Sequence, residues 1–200
     1  MPPVQIHIDL ETLGIRATSQ ILSIGACCND NHFYREIDLS HYDDNFTTDE
    51  STAKWWHDRG GFQPTVESVS PHKALTALGH WITDQLERGQ DEFEVWANSP
   101  SFDCAILRHH YSQYSLFCPW AFWQERDVRT IKNAARTLRI PLNTKPNPHN
   151  ALQDALNQQA LVNRFYSAVA GYVDTARQSQ LAGGSDGKEI RMELHSPDRV

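Results

Sequence analysis

The first 39 residues hold three runs in which apolar side chains alternate with others: VQIHIDLE, QILSIGACC and HFYREIDL. The polar connections between them are short, which predicts three successive strands paired as an antiparallel meander. The first run ends in two carboxylates, Asp9 and Glu11, with Leu10 between them. Side chains at i and i+2 share a face of a strand, so both acids point the same way. A strand gains nothing from charge on its buried side. Either this strand is an edge whose acids meet solvent, or the acids have work to do.

The rest of the chain changes rhythm. HYDDNFTTDES is polar and turn-like, and STAKWWHDRG after it reads as a short helix stopped by Gly60 and Gly61. SPHKALTALGHWITDQLERG is a longer helix, with Ser70 as N-cap, Pro71 at N1, and Leu75, Leu78, Trp81, Ile82 and Leu86 on one stripe. A strand (DEFEVWAN), a helix (SFDCAILRHHY), a fifth strand (AFWQERDV) and a helix (RTIKNAARTLRI) follow, and HNALQDALNQQALVNRFYSAVAGYVD is the last strong helix. Three strands in sequence, then strands alternating with helices, predict an α/β fold with a mixed five-stranded sheet flanked by helices. From Gln178 the chain turns polar and Gly-rich, so the expected division is a domain over 1–177 and a tail over 178–200, in which KEIRMEL is the one candidate for an added strand.

Composition narrows the function classes. Hydrophobic residues make up 40% and charged residues 22% of 200 residues, an ordinary single-domain mix. No apolar run nears the roughly 18 residues of a membrane span, and MPPVQIHID carries no signal-type segment, so a cytoplasmic protein is expected. Cys27, Cys28, Cys104 and Cys118 form no CxxC pair; they read as reduced, buried thiols rather than a zinc site or disulfides. A net charge of −7 argues against a broad basic nucleic-acid footprint. It leaves open a narrow site where metal ions neutralise phosphate.

Three further residues bear on that site. Asp103 in NSPSFDCAILRHHY falls near the start of a helix behind the EVWAN strand; alone, it is as well explained as an acid favouring the helix dipole. In HNALQDA, His149 stands at a helix entrance and Asp154 five residues later inside it; alone, the histidine is a surface or capping residue. Together they change the odds, because active groups of α/β sheets gather beyond strand ends and at helix starts. Four carboxylates brought to one place repel one another unless cations bind them. Oxygen-only ligands select hard ions such as Mg²⁺ or Mn²⁺, and a pair of such ions is a known device for in-line attack on a phosphodiester.

DLE on the first strand, SFD on a middle helix and HNALQD on the last helix resemble, in this order, the three exonuclease motifs of the DEDDh family. The resemblance covers residues 4 to about 170. IDLETLG, ILSIGA, STAKWW, SFDCAIL and FWQERDVRT are most similar to the exonuclease VIII-type and tailed-phage exodeoxyribonuclease A branch, and bacterial 3′→5′ exoribonucleases share these features. The chain departs at NSPSFD, where many relatives carry His or Gly near Asn98. The resemblance implies a ribonuclease H-like fold and a two-metal 3′→5′ exonuclease that releases 5′-mononucleotides. Single-stranded DNA is then the expected substrate, with RNA the alternative. It implies that Asp9 bridges two Mg²⁺ or Mn²⁺ ions, that Glu11 and Asp154 complete the ion that activates water, and that Asp103 serves the other. It makes His149 the general base, a role imidazole suits near neutral pH. It also implies a homodimer in a bacterial or phage-infected cell.

The remaining candidates for substrate contact are Leu10, Thr12 and Leu13 around the acid pair, facing the 3′-terminal sugar. Trp55 and Trp56 diverge by about 100° on a helix: either one packs while the other, taken as Trp56, faces the cleft and stacks on a base, or both pack in the core. Phe102 either packs or wedges between bases, and Arg126 in QERDVRT either holds phosphate or forms a salt bridge. A different class of function stays open: a proofreading subunit that docks on a replication or recombination complex through GGSDGKEIRMELHSPDRV.

Overall fold

The central strand, β1 (Val4–Thr12), is buried on both faces. It pairs antiparallel with β2 (Ile21–Cys28), and β2 with β3 (Asn31–Glu36), which is the meander that the short connections dictate. On its other side β1 pairs in parallel with β4 (Phe93–Ala97), and β4 with β5 (Glu125–Asp127). The strand order β3-β2-β1-β4-β5 therefore makes a mixed sheet. The structure is a computed structural model and describes residues 3–62, 66–86, 92–142 and 149–183, with side chains to residue 180.

The described residues also form five α-helices, α1 (Glu50–His57), α2 (Pro71–Asp84), α3 (Asp103–Gln113), α4 (Val128–Thr137) and α5 (Ala151–Gly183), and two short 3₁₀ turns. Ile6, Ile8 and Leu10 of β1 join the core with Leu75, Leu78 and Ile82 of α2 and Ile106 and Leu107 of α3. Tyr111 spans α3 to α2, its hydroxyl donating to Leu75 O at 3.0 Å. The helix starts follow capping chemistry: Ser70 Oγ accepts from Lys73 N, and Asp49 accepts from Thr52 N at 3.1 Å. Gly60 and Gly61, at φ 90° and 77°, take the left-handed backbone that ends the α1 segment.

On the opposite face β1 presents His7, Asp9 and Glu11. Asp9 stands across from Gly25 of β2, and a Cβ at Gly25 would lie 2.1 Å from Ala151 C and from Leu152 N. The first turn of α5 thus rests directly on the β2 backbone, which only glycine permits. A shift of register between Glu11 and Thr12 marks a bulge where β1 leaves the sheet, beside the acids.

Two expectations need correction. The fifth strand is not AFWQERDV but three residues, because Gln124 Oε1 accepts from Ala121 N at 2.8 Å and closes a 3₁₀ turn over Phe122–Gln124. The last helix runs on to Gly183, so Gln178–Gly183, expected in the tail, are helical. The remainder of that tail, with KEIRMEL, lies outside the described residues. The chain divides into two units, Met1–Phe165 and Tyr166–Val200, the boundary falling within α5. Among the described residues all four cysteines are free, Cys118 partly exposed and the others buried. None of the described helices is long and apolar enough to cross a membrane.

Candidate active site

Oxygens of Asp9, Glu11 and Asp154 lie within 4.8 Å of one another. Two structural causes bring them together. Asp9 and Glu11 share a strand face, and Asp154 arrives on the α5 turn that Gly25 lets settle on the sheet. Glu11 and Asp154 are buried and Asp9 is half-buried. The fourth acid, Asp103, opens α3, is buried, and accepts the Leu10 N–H at 3.2 Å. It is therefore tied to the peptide between Asp9 and Glu11 and stands beside the trio rather than within it.

Burial and mutual repulsion set the electrostatics of these acids. Burial first, then the charges of Asp103, Glu11 and Asp154, push the Asp9 carboxyl well above the usual carboxylate range. Glu11 rises to about 8, from burial and then from Asp154 and Asp103. Asp103 rises to about 7, chiefly from burial, against the lowering hydrogen bond from Leu10 N–H. Burial also raises Asp154, and the nearby His149 counters it. Crowded acids with oxygen-only ligands are a donor set for hard divalent cations. The residues fit the expected ions, with Asp9, Glu11 and Asp154 the first candidates to hold them and Asp103 adjacent.

His149 is exposed, and its ring stands edge-on to Trp55, centroids 4.6 Å apart. Capping is done by the next residue: Asn150 Oδ1 accepts from Gln153 N at 3.0 Å. That leaves the imidazole free of the structural duty a helix entrance would suggest. His149 holds φ at 52°, a left-handed conformation uncommon for a side-chain-bearing residue.

Beside the acids opens a cleft of about 340 Å³, whose lining includes Leu10, Glu11, Thr12, Trp55, Trp56 and Phe102. Four of the six proposed substrate contacts thus meet in one place. Leu13 is not in the lining; its N–H and C=O bind Gln20 O and Asp49 N. Arg126 is not there either, since it bonds Glu94 Oε1 at 2.9 Å and the carbonyls of Trp123 and Glu125. The two tryptophans exchange emphasis. Trp56 is 9% exposed and donates to Thr12 O at 3.0 Å. Trp55 is the more open ring, with the Arg59 guanidinium 3.9 Å from its centroid.

One partner of the acids escaped the sequence. Gln158 Nε2 donates to Asp9 Oδ1 at 2.7 Å and fixes that carboxylate from α5. Its signal was present: Gln158 follows Asp154 by four residues and so shares its helix face.

A mixed sheet whose central strand brings acids against a helix with Asp154 in its first turn and His149 just before its start defines a DEDDh-type, ribonuclease H-like nuclease fold. The model of the Rv2179c-like 3′–5′ exoribonuclease domain matches residues 4–166, and the chain belongs to this family. Its fold is shared by cell-death related nuclease 4 (CRN-4), at TM-score 0.60 and 17% identity over 82% of this chain. The chain spans 64% of the length of CRN-4. The nuclease domain of 3′hExo, a DEDDh family member solved with rAMP, matches at TM-score 0.55 and 12% identity, covering 82% of this chain and 92% of that one. No curated protein matches the chain in sequence.

Proposed function

We propose that this protein is a metal-dependent 3′→5′ exonuclease that releases 5′-mononucleotides from single-stranded nucleic acid. The observation that carries the reading is the convergence of Asp9, Glu11 and Asp154 within 4.8 Å, beside a cleft walled by aromatic rings. Two Mg²⁺ or Mn²⁺ ions, when bound by these acids and Asp103, supply charge neutralisation at the phosphate and a lowered water pKa. The chain's own residues do the rest. Gln158 holds Asp9 in orientation. Leu10, Thr12 and Phe102 shape the seat of the terminal nucleotide, and Trp55 offers its base the ring face that Arg59 does not cover. His149, relieved of capping by Asn150, takes the proton of the attacking water.

For the substrate, the family's description as an exoribonuclease supports RNA, while the resemblance of the motifs to the phage and exonuclease VIII-type branch supports DNA. We take RNA as the leading reading. The test offers 5′-labelled RNA and DNA single strands of one sequence, with Mg²⁺ and again with Mn²⁺. Stepwise shortening from the 3′ end with release of 5′-mononucleotides is expected, faster on RNA, and absent in Asp154→Asn. Shortening of neither strand by the wild type, or an active Asp154→Asn protein, refutes the assignment; faster loss of DNA reverses the substrate order.

A further inference from the structure

Two cations beside the acids have no part in the reading so far. Lys132 and Arg129 lie one turn apart on α4 and therefore share a face. Lys132 Nζ donates to Asn98 Oδ1 at 3.1 Å, just past the end of β4 and five residues before Asp103. An ammonium has three donors, and Asn98 is a neutral partner. Among the described residues neither Lys132 nor Arg129 forms an ion pair with a carboxylate.

They nevertheless stand in the field of the acid cluster. Burial, then the like charge of Arg129, pull Lys132 below the usual lysine range, while Asp9, Asp127 and Asp154 oppose this. Arg129 in turn acts on Asp103. A half-buried ammonium with donors to spare, close to the acids yet bonded to none, is suited to an anion that is not part of the protein. A strand whose terminal phosphodiester lies on the acid cluster must bring its next phosphate nearby. On a chain with net charge −7, that phosphate needs a local cation.

We propose that Lys132, flanked by Arg129, binds the phosphate on the 5′ side of the scissile phosphodiester and so sets the path of the single strand. The inference rests on the exonuclease reading above. The competing account is that the two cations only balance the acids. That account predicts a loss independent of substrate length, and the proposal predicts a loss only where a second phosphate exists.

The experiment compares wild type, Lys132→Gln and Lys132→Arg on two substrates. One is a single-stranded oligonucleotide; the other is a nucleoside 5′-monophosphate p-nitrophenyl ester, which has one phosphodiester and no flanking phosphate. For Lys132→Gln, KM on the oligonucleotide should rise roughly 10- to 100-fold with kcat nearly kept. Hydrolysis of the ester should stay within about twofold of wild type, and Lys132→Arg should recover most of the oligonucleotide KM. The dependence of log(kcat/KM) on log[salt] should flatten by about 0.7 for one lost contact on a single strand; this decides alone if the wild type ignores the ester. Equal losses on both substrates, or an unchanged salt slope, overturn the proposal. A wild type that cleaves neither substrate removes the exonuclease reading itself, and this inference with it.

Discussion

Gly25→Ala tests whether the seat of α5 builds the site. The added Cβ would stand 2.1 Å from Ala151 C and Leu152 N and 2.4 Å from Ala151 O. These are backbone atoms, which no rotamer change can clear, so α5 must withdraw by more than an ångström or β2 must buckle. Asp154 lies in the first turn of that helix and Gln158 one turn further, both facing Asp9. Forcing volume into a packed contact costs about 1–3 kcal/mol, and in a chain of this size each kcal/mol lowers Tm by ~2–4 °C. A misplacement of about 1 Å in a catalytic constellation costs roughly 10²-fold in rate. The assay pairs thermal unfolding by circular dichroism with single-turnover hydrolysis of an oligonucleotide. Gly171→Ala serves as control, because a Cβ there meets nothing within 4 Å and alanine favours a helix. A Gly25→Ala protein that melts early yet cuts at the wild-type rate refutes the link between helix seat and site. One unchanged in both refutes the close approach itself.

Two other outcomes follow from the same geometry. Between pH 7 and 8 the metal-free protein should lose stability: Glu11 has its pKa raised to about 8 in the fold, so the folded state binds the extra proton, and stability falls until pH passes that value. Glu11 alone accounts for about 1 kcal/mol across that pH unit, and His7 and His110, lowered to about 3 and about 4 by burial, are past their effect there because they destabilise only in acid. Melting in EDTA should therefore drop by a few degrees, Mg²⁺ should reverse the drop, and Asp9→Asn should blunt the reversal; a melting temperature that rises over this interval in EDTA contradicts the cluster's electrostatics. His149→Ala should slow hydrolysis by about 10²–10⁴-fold while leaving Mg²⁺ stabilisation intact. A near-wild-type rate would place the base elsewhere.

The strands, the Ser70 cap and the order of the acid motifs were legible because each rests on a local rule: period two, capping chemistry, fixed spacing. What escaped depends on which distant segments touch. Gly25 looks like any small residue in a strand until its partner across the ladder proves to be Asp9 and its neighbour above proves to be Ala151. Arg126 and Lys132 are both cations after β4, and composition does not separate them. Tertiary contact does, giving Arg126 the Glu94 carboxylate and Lys132 only an amide oxygen. At the entrance of α5 two adjacent residues suit a cap, and Asn150 rather than His149 makes the bond.

The face of β1 that carries the acids breaks the ordinary rule for a central strand along its whole length. At its deep end His7 is fully buried, stacked on Trp96 with ring centroids 5.9 Å apart, and neither ring nitrogen has a hydrogen-bond partner among the described residues. Ser23, across from Glu11 on β2, is buried with its hydroxyl also unpartnered. Unmet polar groups cost stability, and crowded carboxyls add their mutual repulsion. The apolar face, with Ile6, Ile8 and Leu10 in the core, offsets that cost. The division explains why the acids were conspicuous in the sequence. A strand whose alternate positions obey hydrophobic burial while the others violate it has a packing face and a chemical face, and such local inconsistencies mark sites of function. Cations bound at Asp9 and Glu11 would relieve the outer end of the chemical face and leave His7 untouched. The stabilisation by Mg²⁺ should therefore be set by the acids alone, and replacing His7 with an apolar residue of similar volume should leave it unchanged.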